Sequence, residues 1–275
     1  MASDAATLTR SFKRSQNRRA ALIAALVSLY FRSKVKIEDP QAVDRFLELM
    51  VPKILEEHDS LSESAALYGN RLRKIEVPDT TVDFEFQPIR SITEEQIRES
   101  LLAVGVNSYL KKVSTIREMD PKQFDAGTKA AMIREADRVA SERVASAVAR
   151  HVQNGPRRTI EDNVKQDPLT IGFVRVTKAK PCFFCAMLAS RGLDGGLYQQ
   201  DSFDLSDPRF IGTGNAKVHD GCGCSLKPVY TRADEILAEN QKFTDMWYDF
   251  AGDGDSDPLT NFRRNYEGRE SHLKK

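Results

Sequence analysis

The most regular stretch of the chain runs from Pro121 to Lys165, where Ile133, Ala136, Ala140, Val144, Ala147 and Val148 recur at intervals of three and four. That spacing places all six on one face of a helix. Most are small, so a second helix can approach closely. Arg134, Arg138, Glu142 and Arg143 fall elsewhere on the helix. A helix of this length with an alanine-rich seam needs other helices packed along it. The expected architecture is therefore a bundle or a long packed arm. Gly155-Pro156 is expected to interrupt it, because proline lacks the N–H that a helix interior needs.

The rest of the first 167 residues fits the same scheme. Arg10, Lys13, Arg14, Arg18 and Arg19 precede a twelve-residue apolar run from Ala20 to Phe31. The run is too short for a membrane span, which needs roughly 20 residues. Arg32, Lys34 and Lys36 follow where a secretory cleavage site would have small residues, so an amphipathic helix with a basic entry is the preferred reading. Asp39-Pro40 opens a second helix, with Val43, Phe46, Leu47, Met50, Ile54 and Leu55 on its apolar face and Pro52 as a kink or break. Val82, Phe84 and Phe86 alternate with Asp83 and Glu85, as in an extended connector. Thr93 with Gln96 forms a capping box. His58, His151 and His272 are read as surface or internally satisfied residues.

Forty-one Lys+Arg balance forty Asp+Glu, which excludes a uniformly basic nucleic-acid coat. The balance is uneven along the chain. Residues 1–36 carry a net charge of +7 and residues 231–260 a net charge of −6. Opposed ends of this kind favour contacts between copies or with a charged neighbour, unless they are simply solvated helix faces.

After Asp167-Pro168 the texture changes. Ile171 to Val176 reads as a strand, and glycines crowd the stretch from Gly192 to Gly223. From Arg232 a helical pattern returns, with Phe243, Met246, Trp247 and Phe250 as a packing face. The expected fold class is α+β: a helical body over 1–167, a small Cys/His-rich α+β module over 168–230, and a helical tail over 231–275. Gly212-Thr213-Gly214-Asn215 reads as a turn, and Asp253-Gly254-Asp255-Ser256-Asp257 as an acidic linker.

The module contains every cysteine of the chain. Cys182-x2-Cys185 and His219-x2-Cys222-x-Cys224 bring five soft or borderline metal donors within 43 residues. A C-x2-C turn presents two sulfurs to one side, and the second set can close a tetrahedral zinc shell. Five donors for four places leave one spare, and the spacing does not choose it. A glycine-rich unit of this size buries little apolar surface, so a structural metal would help it fold. Reduced thiols packed as small apolar groups are the alternative.

The run Val176-Thr177-x3-Pro181-Cys182-x2-Cys185-x2-Leu188-Ala189-Ser190-Arg191-Gly192, then Tyr198, then His219-Asp220-x-Cys222-x-Cys224-x3-Pro228-Val229-Tyr230, resembles the MuF-like head morphogenesis proteins of tailed bacteriophages. The motif covers about 175–230; over 1–165 only the helical texture is similar. The resemblance implies a minor structural protein of the phage head, acting in capsid assembly near the portal. Portal protein and major capsid or scaffold subunits are the implied partners. The implied location is the head interior, with host cytoplasm during assembly. Packaged DNA would meet the basic N-terminus, and no membrane is involved.

Many proteins of this type carry the label capsid maturation protease. In this chain such an activity would draw on His219 with Ser190 or Ser225. His219, however, falls inside the metal motif, and neither a G-x-S-x-G elbow nor an H-E-x-x-H helix occurs. A closed shell leaves no water position for hydrolysis. A structural knuckle is the first reading and prohead proteolysis the alternative.

Overall fold

The computed structural model describes residues 3–178, 180–190, 197–198, 223–251 and 257–272. Helix α1 (Asp4–Lys34) starts at Ser3, whose hydroxyl accepts from the Ala6 amide. Helix α2 (Pro40–Glu76) starts at Asp39, which accepts from the Gln41 amide at 3.0 Å. It runs through Pro52 as one element. Pro52 is exposed, so the Glu48 carbonyl it leaves without a partner can reach water. Helix α3 (Glu94–Leu101) opens with the expected capping box: Thr93 accepts from Gln96 at 3.3 Å and its amide donates to the Gln96 side chain at 3.0 Å. A π-helical stretch (Leu102–Asn107) leads into α4 (Ser108–Glu118), and α5 (Ala126–Val164) follows.

The expected break at Gly155-Pro156 does not occur, and α5 continues through both residues. Tertiary packing overrides the local preference. A Cβ at Gly155 would stand 2.7 Å from the His58 carbonyl oxygen and 2.5 Å from Ser62 Oγ, so glycine lets α2 and α5 touch. Helix α1 runs antiparallel to both, as the cross-links Phe31–Phe46 and Arg19–Glu57 to α2 and Ser28–Ser141 and Asn17–Gln153 to α5 show. The seam holds Ala20, Ala24, Val27, Phe31, Phe46, Leu47, Ile54, Val144, Ala147 and Val148, each almost fully buried. Burying a side chain the size of Phe31 or Leu47 stabilises the fold by about 1.5–3 kcal/mol.

The 77–93 connector forms no ladder. Side chains stand in for a neighbouring strand. Asn70 bonds both backbone groups of Phe86 at 2.7 and 3.2 Å, and Asn163 does the same for Gln87 at 2.8 Å each. Thr159 accepts from the Ile89 amide at 3.1 Å.

Strands β1 (Gly172–Val176), β2 (Leu197–Tyr198) and β3 (Ser225–Val229) form one antiparallel sheet with β1 central. Val174 pairs with Lys227 and Phe173 with Pro228. Val174, Val176 and Val229 pack against Ala6 of α1 and against Ile236 and Leu237 of α7 (Glu235–Ala251). Phe173 and Leu226 join the larger core with α6 (Phe183–Ser190), α7 and α8 (Pro258–His272). The expected aromatic face of the tail is used here, with Trp247 and Phe250 packed on Phe262 at ring-centroid distances of 5.2 and 6.1 Å. The chain is a mainly helical α+β protein.

The two histidines of the bundle differ from each other. His58 is fully buried and partnered on both ring nitrogens, by Asp59 at 2.9 Å and Ser91 at 3.1 Å. His151 is 5 % exposed and neither ring nitrogen has a hydrogen-bond partner among the described residues; Gln16 of α1 is buried in the same state. Burial lowers the pKa of both histidines, and that of His151 falls to about 3, helped by the neighbouring charge of Arg150. Both are therefore neutral when folded and take up protons on unfolding.

Stability should then decline as pH falls below 6.5, by up to about 1.4 kcal/mol per pH unit for each histidine. Between pH 6.5 and 5 the low-pKa carboxylates of Asp125, Glu135 and Glu235 stay charged in the folded chain and contribute little. Glu76, whose carboxyl pKa burial lifts, takes up its proton first in the folded state and partly offsets the trend. Urea unfolding of the wild type and of His151→Leu across that range tests this. The variant should be more stable and show a shallower pH slope.

Candidate functional site

Helix α6 begins at the first cysteine pair. The Ala186 amide donates to the Cys182 carbonyl at 3.0 Å and starts the helix. The Cys185 amide donates to Cys182 Sγ at 3.4 Å. Cys224 arrives from the other side, immediately before β3, and packs with Cys185 and Cys182 in one small cluster. Cys185 is 2 % exposed and Cys224 1 %. The two halves of the sequence motif, about 40 residues apart, thus meet through the three cysteines in view.

Of the five expected donors, His219 and Cys222 lie outside the described residues, as does the Gly212–Asn215 turn. Among the described residues, no three His, Cys, Asp or Glu side chains stand in a metal-holding arrangement, and no disulfide joins Cys182, Cys185 and Cys224.

The helical body holds this cluster through residues that spacing alone did not single out. Arg157 of α5 is 2 % exposed, and its Nε and Nη2 donate to the Cys224 carbonyl at 3.0 and 2.9 Å. Nη2 also reaches Gln153 Oε1 at 2.9 Å. Gln153 donates to Asn17 of α1 at 3.0 Å, and Asn17 donates to the Gly223 carbonyl at 3.0 Å. Two consecutive carbonyls at the end of the second cysteine stretch are therefore fixed by one network from α1 and α5. The only sequence signal was Arg157 beside Gly155-Pro156, in a place read as a break. The C-terminal helix holds the other half: Tyr266 donates to the Pro181 carbonyl at 2.9 Å, and the Arg263 guanidinium lies 5.0 Å from the Phe183 ring centroid.

The two serines considered for hydrolysis are both in place. Ser190, 6 % exposed, donates to the Met187 carbonyl at 2.7 Å, as a hydroxyl closing a helix often does. Ser225 is 1 % exposed, and its hydroxyl has no hydrogen-bond partner among the described residues. Neither hydroxyl faces solvent.

The charged ends of the chain meet within one molecule. Arg10 of α1 pairs with Glu235 at 2.7 Å and with Glu239, both on α7, and the Ser3 amide also donates to Glu235 at 3.0 Å. Lys13 donates to the Thr177 carbonyl, and Arg19 bonds Glu57 at 2.6 Å and Ser60 at 2.8 Å. Of the five basic residues at the N-terminal entry, Arg14 and Arg18 remain exposed.

Arg157→Ala should cost about 2–4 kcal/mol, because it leaves the buried Cys224 carbonyl without its donor. Thermal unfolding together with the rate of thiol modification by a disulfide reagent checks this. The variant should melt earlier and react faster at Cys224, whereas Arg14→Ala on the exposed face of α1 should change neither.

Among the described residues, no helix is long and apolar enough to cross a membrane. Neither the curated proteins nor the solved structures contain a match to the chain. The family model of the VG15 protein matches residues 2–250, which takes in the helical body, the cysteine cluster and α7. With nearly its whole length covered, the chain belongs to the VG15 protein family, a family of phage proteins.

Proposed function

We propose that this phage protein is a minor structural component of a tailed-phage head. It would act in capsid assembly near the portal, with a MuF-like module held by a structural zinc ion. The observation that carries this reading is the convergence of Cys182 and Cys185 with Cys224 on a scaffold of long helices. That part of the chain is the part that resembles MuF-like proteins. Four of Cys182, Cys185, His219, Cys222 and Cys224 would hold the ion. Zinc in such a shell supplies cross-linking rather than chemistry, because four protein ligands leave no position for water.

Portal, major capsid or scaffold subunits are the proposed partners, in the head interior. Leu22, Leu26 and Leu29 of α1 are 61 %, 48 % and 67 % exposed, an apolar stripe of the kind that marks a contact surface. Arg14 and Arg18, one to two turns before it, are the basic residues left to meet packaged DNA. The buried state of Ser190 and Ser225 favours the structural reading over prohead proteolysis at those residues.

Two measurements test the proposal. Elemental analysis of the purified full chain should find about one zinc per molecule, lost in Cys182→Ala and Cys185→Ala and retained in Ser190→Ala and Ser225→Ala. Quantitative mass spectrometry of purified heads should find the protein at a small fraction of the major capsid copy number. Metal-free protein with unchanged thermal stability would remove the zinc, and heads without the protein would remove the head role.

A further inference from the structure

A second constellation lies on the side of the bundle formed by α2 and the 77–93 connector. His58 sits beneath the surface with both ring nitrogens engaged. Nδ1 is 2.9 Å from Asp59 Oδ1, and Nε2 is 3.1 Å from Ser91 Oγ. A carboxylate can only accept, so the Asp59 contact places the imidazole proton on Nδ1. Nε2 then carries the lone pair and accepts from the Ser91 hydroxyl. Ser91 is exposed, and the Asp59 side chain is 24 % exposed, with Arg90 Nε 3.6 Å from its second oxygen. The order of groups, hydroxyl to imidazole to carboxylate, is that of an activated serine nucleophile, which is recognised by geometry rather than by position in sequence. Three residues beyond Ser91, α3 opens with Glu94 and Glu95, whose first-turn amides have no intrahelical acceptor. Amides of this kind are the usual donors to a developing oxyanion.

We infer that Ser91, His58 and Asp59 form a surface nucleophile centre that hydrolyses accessible carboxylic esters. Ser91 Oγ bonds to the ester carbonyl carbon while its proton passes to His58 Nε2. The tetrahedral species collapses, the carbon–alkoxide bond breaks, and the alcohol leaves with the proton from Nε2. Water repeats the sequence on the acyl-serine, releasing the acid and restoring the hydroxyl. Asp59 is a positioning residue that holds the tautomer. The inference is independent of the head-assembly reading, since it uses a different face of the molecule and none of the cysteines. The competing role of the same bonds is mechanical: they pin the connector to α2.

The purified full chain is treated with a fluorophosphonate probe, which loses fluoride to an activated serine, and the adduct is located by peptide mass spectrometry. The expected adduct is on Ser91, absent in Ser91→Ala, and formed at least about tenfold more slowly in Asp59→Asn. p-Nitrophenyl acetate hydrolysis should follow the same order. Because replacing buried His58 would disturb the bundle, Ser91→Cys serves as the second variant. Its thiol should be alkylated by iodoacetamide at least about tenfold faster than the same thiol in Ser91→Cys with Asp59→Asn. No adduct on Ser91, an equal rate in Ser91→Ala, or a loss of thermal stability in Ser91→Ala without any labelling would overturn the inference and leave a structural pin.

Discussion

The guanidinium of Arg157 ties the helical body to the end of the second cysteine stretch. Arg157 donates twice to the carbonyl of Cys224 and is held by Gln153, which ties it through Asn17 to Gly223. Backbone groups with no ladder partner need a donor when buried. Here the donor comes from a helix whose position is itself fixed by close packing. Gly155 lets α5 lie against His58 and Ser62 of α2, and Pro156 stiffens the turn next to the arginine. A Cβ at position 155 would push α5 away from α2 and carry Arg157 with it. The contact that permits the bundle and the contact that holds the cysteines thus belong to one segment of three residues.

Much of the helical body was legible because its signals are local. Asp39-Pro40, the Thr93 and Gln96 box and the alanine seam each depend on residues within a turn or two of one another, and all three appear as expected. The strand at Gly172–Val176 was legible from β-branching. Gly155-Pro156 misled because the energy that carries the helix through it comes from α2, about 95 residues earlier in the chain. The alternation at Val82, Phe84 and Phe86 did mark an extended segment, but its partners are the side chains of Asn70 and Asn163, which no spacing rule reveals. For the candidate site, spacing named the cysteines, of which Cys182, Cys185 and Cys224 pack together. It gave no hint of Arg157, Asn17 or Tyr266, whose role is to hold backbone carbonyls. The opposed charges of the two ends were visible as composition, yet part of each is consumed within the fold by Arg10 with Glu235 and Glu239.

Charge is also used inside the fold, where it is expensive. Lys227 of β3 is 1 % exposed and is held by Glu76 of α2 at 2.6 Å and by Asp234 just ahead of α7. Close by, Asp167 accepts from both Arg73 and Tyr230 at 3.1 Å. Burial lifts the Glu76 carboxyl above its ordinary range even beside the lysine. Two apolar residues in these places would pack as stably or more so. An ion pair, however, is directional. Lys227 sits on the sheet face shared with Val229, and only one register of β3 brings it to both acids. In a three-stranded sheet where β2 pairs with β1 at only two positions, a one-residue slip of β3 would exchange its two faces. The buried charges make that slip costly.

These constraints bear on what a metal would contribute. The sheet and α6 bury their apolar residues against α1, α2, α7 and α8, so Phe173, Phe184, Met187 and Leu226 share one core with Tyr68, Phe243 and Phe262. A zinc knuckle that stood alone would owe its fold to the ion. The cysteine module already receives apolar cover from four helices, and Arg157, Asn17 and Tyr266 donate to its carbonyls. The proposed ion would therefore contribute locally, by fixing how Cys182 and Cys185 face Cys224. Removal of such an ion should leave the helical body folded. The bundle is then the rigid element on which the cysteine cluster rests.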